Sequence, residues 1–154
     1  MYVNTTQIVL ERSVLAAWMG LMTDSVGAAG PLDGSTVAYY VNDVTPTSDD
    51  VFSDYTLTDL DGAGPAYTLT WTAAVNLGIT KLALLTSHTV IVDPVPDPAV
   101  SVYGIVILNA AADTFLGGYR FPDYISIVAV DQFISVDIAL AMPLALQTGL
   151  VNPT

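Results

Sequence analysis

The sequence predicts an all-β protein, a jelly-roll-like β-sandwich of about eight short strands with one N-terminal helix. Three observations support this fold class. From residue 31 onward apolar residues recur mainly with period two, as expected of strands with one buried face. The connecting segments are short and rich in turn-forming residues. Fourteen of the fifteen acidic residues are aspartate, which favours turns and caps, whereas glutamate favours helix interiors.

The N-terminal helix is predicted over residues 6–22, with Thr5 or Thr6 as its cap. Apolar residues recur there at spacings of three and four, namely Val14, Leu15, Trp18, Met19, Leu21 and Met22. Gly27, Gly30 and Pro31 then end any helical pattern. We therefore expect residues 1–30 to form a helix and a linker.

Strands are predicted over residues 31–142. The clearest signal is the alternation of Tyr67, Leu69 and Trp71 with Thr68, Thr70 and Thr72, which indicates one buried and one threonine-rich face. Two further sets are each predicted to share one face: Val37, Tyr39 and Val41, and Ile134, Val136, Ile138, Leu140 and Met142. Other candidate strands cover residues 79–85, 89–92, 100–108, 115–120, 125–130 and 133–142.

Three connectors carry turn residues: DPVPDP at 93–98, NAAAD at 109–113 and FPD at 121–123. The longer segment 42–65 is rich in Asp, Thr and Pro and is predicted to be a surface excursion. By length, the chain of 154 residues is expected to be a single domain, 1–154, with an apolar C-terminal tail at 143–154.

Composition predicts an assembled protein. Hydrophobic residues make up 53% of the chain and charged residues 12%, about half the usual charged share. A monomer needs polar surface to stay in solution, so we expect neighbouring subunits to cover much of this apolar surface.

The same composition excludes several functions. A net charge of −12, with three basic residues (Arg12, Lys81 and Arg120), would repel a phosphate backbone, which argues against nucleic-acid binding. Without cysteine the chain forms no disulfide or thiolate metal site. Its longest uncharged apolar runs, 13–23 and 98–112, fall short of the ~20 residues that span a bilayer. The first residues lack the basic region of a secretion signal.

The residues that could support catalysis are few. His88 is the single histidine and follows Ser87, but no nucleophile-elbow motif lies near it. We predict a polar surface or edge-strand histidine and no catalytic residue. No glycine-rich phosphate-binding loop occurs, and no cofactor is expected.

Aspartates crowd the segment around TDLDG (58–62), which is similar to the start of a calcium-binding loop. The glutamate that would complete such a loop is missing. The favoured interpretation is a solvated acidic loop without a metal site; incidental calcium binding and a glycosidase-type carboxylate pair are the alternatives. The aspartates are Asp49, Asp50, Asp54, Asp59 and Asp61.

Four tyrosines near the acidic segment could bind a sugar: Tyr39, Tyr40, Tyr55 and Tyr67. Packing in the core or at a subunit interface is the favoured interpretation.

Both ends of the chain are apolar and carry too little charge for a solvated appendage. We therefore predict that they contact another subunit or a larger partner. The residues expected at these contacts are Tyr2, Val3, Ile8, Trp18, Leu144, Leu146, Leu150 and Val151.

Four runs in order along the chain resemble a known class of protein: YYVNDVTPT (39–47), SDYTLTDLDGAG (53–64), YTLTWT (67–72) and VYGIVILNAAADTFLGGYRF (102–121). They resemble small virion structural proteins of tailed phages. The resemblance implies a capsid decoration (cement) protein without enzymatic activity, located on the capsid surface of the virion. The partners expected for such a protein are the major capsid protein and copies of itself, as a homotrimer that would cover the apolar excess.

The shared positions suit fold formation, so the resemblance transfers no functional residue. Asn42 and Asp43 suit a turn, Pro46 fixes the backbone there, and Gly104 permits a close backbone approach. The alternative is a tail- or fibre-associated module that binds a host surface glycan.

Overall fold

The computed structural model of the protein describes residue 30 and residues 32–72, 75–77 and 81–143. The described chain is all-β, with eight strands in two antiparallel sheets. This confirms the predicted class and strand number. Its one helical element is a single 3-10 turn at Phe52–Asp54. The predicted N-terminal helix lies outside the described residues.

The first sheet has the order β2-β1-β6-β7, with β3 also paired to β1, and the second has the order β4-β5-β8. The strands are β1 Thr36–Tyr40, β2 Leu57–Thr58, β3 Ala66–Thr68, β4 Val75–Leu77, β5 Lys81–Ile91, β6 Val100–Leu108, β7 Phe115–Ile127 and β8 Phe133–Pro143. These orders establish two sheets, while the jelly-roll connectivity stays a prediction.

The described residues fall into two compact units. The larger contains 32–70 and 87–137, and the smaller contains residue 30, 71–72, 75–77, 81–86 and 138–143. The single-domain organisation stays a prediction. No helix among the described residues is long and apolar enough to cross a membrane.

Strand β1 is buried on both faces, and all five of its residues are buried. Ala38 and Tyr40 pack in a cluster with Val106 and Leu108 of β6, and Tyr55 covers this cluster. The predicted surface excursion 42–65 is therefore only partly exposed, because Tyr55 and Leu60 are buried. Segment 42–57 also packs Val44 and Phe52 against the sheet, which explains why β1 does not alternate in burial.

In two places, two strands that were predicted separately form one continuous strand. Residues 81–91 form β5 without a break, and residues 115–127 form β7. The predicted FPD turn is wrong. β6 pairs Val102 with Ile125 and Gly104 with Arg120, so residues 121–124 form a bulge opposite Tyr103. A proline fits a bulge, where a ladder hydrogen bond is already missing.

Two predicted alternations are confirmed in burial. The predicted threonine-rich strand is regularly paired only as far as Thr68. Burial still alternates beyond that residue, because Leu69 is buried while Thr70 and Thr72 are exposed. In β8 one face is buried or half-buried (Ile134, Val136, Ile138 and Leu140), and the residues between them are exposed. The structure does not describe the side chain of Met142.

Gly104 lies in β6, close to the backbone of β7 and to the Tyr40 ring. A Cβ atom added at this position would lie 2.2 Å from the Tyr119 backbone oxygen and 2.7 Å from the Tyr40 hydroxyl oxygen. Any side chain here would displace β7 or the Tyr40 ring. The predicted close backbone approach at Gly104 is therefore confirmed.

Candidate assembly surface

The contacts predicted at the chain ends lie outside the described residues. They are Tyr2, Val3, Ile8, Trp18, Leu144, Leu146, Leu150 and Val151, and their role stays a prediction. The described residues instead carry an exposed apolar group that the sequence analysis missed.

Four large apolar side chains are exposed around the connection from β7 to β8, and we call them the β7–β8 apolar surface. Val128 is 70% exposed, Phe133 68%, Ile91 54% and Val130 51%. Single exposed apolar residues are ordinary, but several together on one part of a protein mark an interaction surface. This group is the strongest candidate for a contact site in the described part of the chain.

Strand pairing places Ile91 beside Phe133. The Val92 amide donates to the Gln132 carbonyl oxygen at 2.8 Å, and the Asp131 amide donates to the Val92 carbonyl oxygen at 2.9 Å. The hydroxyls of Thr89 and Ser135 lie 2.8 Å apart in the same register. Ile91 and Phe133 are therefore cross-strand neighbours on the outer face of β5 and β8.

Hydrogen bonds of Gln132 hold the connection in one conformation. Its Nε2 donates to the Ser126 carbonyl oxygen at 2.7 Å, and its Oε1 accepts from the Val128 amide at 3.2 Å. Asp131 adopts a left-handed backbone, with φ of 63°, which aspartate tolerates better than most residues. Val128 and Val130 therefore extend from a loop whose shape is set by its own polar contacts.

The charged residues around this surface are acidic. Asp93, Asp131 and Asp137 are exposed and lie within a few residues of Ile91 or Phe133. Among the basic side chains that the structure describes, Arg120 is ion-paired with Asp43 and His88 faces Tyr39. The surface is therefore apolar at its centre and negative at its edge.

His88 is half-buried on β5, and β4 pairs with residues 81–83 of that strand, so a polar surface or edge-strand position for His88 stays a prediction. Its Nδ1 lies 3.0 Å from the Tyr39 hydroxyl, and its ring stacks on Tyr67 at 4.5 Å between centroids. The residues alternating with it on β5 are exposed, so His88 points to the covered side.

Burial controls the protonation of this group. Desolvation lowers the pKa of His88, and the nearby Asp61 carboxylate opposes that shift. Burial also raises the pKa of Tyr39, and burial together with a hydrogen bond to Asp61 raises that of Tyr67. At neutral pH the cluster therefore holds a neutral imidazole and two neutral phenols, an arrangement suited to packing.

The aspartates of segment 58–62 bind their own loop. Asp59 accepts hydrogen bonds from the Gly62 and Gly64 amides at 2.9 and 3.1 Å. Asp61 Oδ1 accepts from the Ala63 amide at 3.0 Å and from the Tyr67 hydroxyl at 3.1 Å. Within residues 30, 32–72, 75–77 and 81–143, no three acidic or histidine side chains form a group that could hold a metal ion.

Asp50 likewise organises its own segment. Its carboxylate accepts from the Thr47 amide at 2.9 Å and from the Thr47 hydroxyl at 2.6 Å, and Tyr55 donates a further hydrogen bond to it. Hydrogen bonds from Thr47, then from Tyr55, lower the pKa of Asp50. This carboxylate acts as a turn cap that also orients the buried Tyr55 ring.

The tyrosines proposed as a sugar platform are mainly core residues. Tyr39, Tyr40 and Tyr55 are buried, which confirms the packing interpretation for these three, and Tyr67 is half-buried. Among the described residues the exposed tyrosines are Tyr119, which precedes the β7 bulge, and Tyr124, its last residue.

No protein-family model matches the sequence, and the comparisons with curated proteins and with solved structures find no match either.

Proposed function

We propose that this protein is a structural virion protein, a capsid decoration or cement protein with a jelly-roll-like fold. In this proposal it binds the outer capsid lattice as a homo-oligomer and stabilises the particle without catalysing a reaction. The observation that carries the proposal is the β7–β8 apolar surface, which is exposed and held in shape by Gln132. A surface of that kind suits binding by contact with another protein.

Two further features support this function. The chain combines a hydrophobic share of 53% with a net charge of −12, so some surfaces suit burial and others keep particles apart by repulsion. Each copy would need only a modest interface, because many identical contacts on a symmetric shell add together. The single histidine takes part in packing and a tyrosine hydrogen bond, which agrees with a structural role.

The copy number of the chain in purified phage particles tests the proposal. Quantitative mass spectrometry should find it on the order of hundreds of copies per particle, as expected of a protein repeated over a capsid lattice. Light scattering of the isolated protein should give a trimer. A chain absent from particles, or a monomer at micromolar concentration, would contradict the proposal.

A module on a tail or fibre that binds a host surface glycan is the second candidate. It is favoured by Tyr119 and Tyr124, whose rings are exposed beside the half-buried Tyr103 and Phe121. Amphipathic rings of this kind can pack on the apolar face of a sugar. A few dozen copies per particle or fewer, with glycan binding that is lost in Y119A/Y124A, would support this candidate.

A further inference from the structure

We propose that the β7–β8 apolar surface binds a partner protein whose contact region is apolar at its centre and basic at its edge. A second copy of this chain does not occupy the surface. This proposal specifies the partner in the proposed function. It rests on that function only in requiring that the partner is a protein. Homo-oligomer contacts would then lie elsewhere on the chain.

The β7–β8 apolar surface is already ordered before a partner binds. Ile91 and Phe133 are fixed as neighbours by strand pairing, and the loop with Val128 and Val130 is fixed by the two hydrogen bonds of Gln132. A surface that is already ordered loses little conformational entropy when it is covered. Covering the four side chains also removes apolar area from water.

Charge argues against a second copy on this surface. About a two-fold axis, Asp93, Asp131 and Asp137 would face the same residues of the other copy. In a trimer a different part of the chain would face them, and a chain with three basic residues and a net charge of −12 offers few cations to pair with them. Like charges brought together at an interface are unfavourable. Arg120 is the one arginine among the described residues. It is ion-paired with Asp43 and donates to the Val44 backbone oxygen, so it does not neutralise these three aspartates.

The same three carboxylates select the charge of the partner. Lysine or arginine side chains around an apolar centre would complement the three carboxylates while the centre covers the four apolar side chains. Such binding should weaken as salt concentration rises, because the charges at the edge remain exposed to solvent.

The test uses the full-length ¹⁵N-labelled protein and three synthetic peptides as probes. The first peptide is Lys-Lys-Leu-Ile-Phe-Leu-Lys-Lys; the second replaces each lysine with glutamate, and the third replaces the four apolar residues with serine. We expect the first peptide alone to shift the amide resonances of Ile91 and of residues 128–133. Its affinity should fall as salt is added.

Matched variants separate the surface from general charge attraction. V130S and F133S should each weaken binding of the first peptide about tenfold, which corresponds to ~1.4 kcal/mol. V51S is the control, because Val51 is 55% exposed, close to the 51% of Val130, but lies next to the 3-10 turn. D131N should reduce the salt dependence while keeping a residue type that tolerates a positive φ.

Three results would overturn the inference. The glutamate or serine peptide could bind this surface as tightly as the first, or V51S could weaken binding as much as V130S. Alternatively, the resonances of residues 128–133 could broaden with protein concentration in the absence of peptide, which would place a second copy on the surface. Each result leaves the copy-number test of the proposed function unaffected, so the two can fail separately.

Discussion

Arg120 Nη2 lies 2.6 Å from Asp43 Oδ1, and this ion pair connects strand β7 to the turn that follows β1. The same guanidinium donates through Nη1 to the Val44 backbone oxygen at 2.9 Å and lies 5.2 Å from the centroid of the Tyr103 ring. The Tyr40 hydroxyl donates to that Val44 oxygen as well, at 3.2 Å. Arg120 and Tyr40 together fix the start of the segment that covers the sheet.

The contacts of Arg120 should differ in strength. In R120M the Val44 oxygen loses a charged donor and the Tyr103 ring loses its cation, so we expect the free energy of unfolding to fall by about 2 kcal/mol. D43N removes an ion pair whose carboxylate is mostly exposed, so the loss should be below ~1 kcal/mol. Urea unfolding of R120M, D43N and the double variant measures these losses of free energy. Equal losses in the two single variants would contradict the prediction.

Replacing Gly104 with alanine should destabilise the fold. The added Cβ would meet the backbone oxygen of Tyr119, which cannot move without shifting β7, so we expect a loss of at least about 1–3 kcal/mol. Gly117 is the matched control, since a Cβ there meets no atom within 4 Å and G117A should leave stability nearly unchanged. Thermal unfolding of both variants tests the difference, and similar losses would show that Gly104 is not sterically required.

Stability should depend on the protonation of His88. Because burial lowers its pKa in the folded state, protonation favours the unfolded chain. The stability is fully present above the unfolded pKa of about 6.5 and is lost as pH falls toward the lower folded pKa. H88Q should remove this dependence, and urea midpoints measured between about pH 8 and pH 5 test it. Parallel curves for the two proteins would exclude His88 as the cause.

H88A should also leave particle assembly and infection unchanged if the protein performs no acid–base chemistry. Lost infectivity in a variant that still folds would favour a catalytic role for His88.

The chain ends provide a separate prediction about assembly. Truncation after Met142 should preserve the β fold but weaken trimerisation or binding to particles that lack the protein, by several kcal/mol if buried leucines contribute roughly 1.5–3 kcal/mol each. Light scattering and co-sedimentation with such particles measure the two effects. If this truncation and a deletion of the residues before Thr5 both bind as tightly as the intact chain, the ends do not anchor the protein.

The sequence was enough to predict the all-β class, the approximate limits of several strands and the close backbone approach at Gly104. Strand β6 begins and ends at the predicted residues, Val100 and Leu108, because a continuous apolar run bounded by turn residues depends only on local preferences. Gly104 was predicted for the same reason, since a glycine inside a strand indicates contact with another backbone.

Other features depend on what packs against each strand, which the sequence alone does not contain. The sequence predicted strands over 79–85 and 89–92 but could not show that His88 lies within one continuous strand, with Tyr39 and Tyr67 opposite it. The FPD residues have turn chemistry, yet the pairing of β6 with β7 continues on both sides of them and makes them a bulge. Local preference determined where strands form, whereas pairing between distant segments decided which faces are buried and left Ile91, Val128, Val130 and Phe133 exposed together.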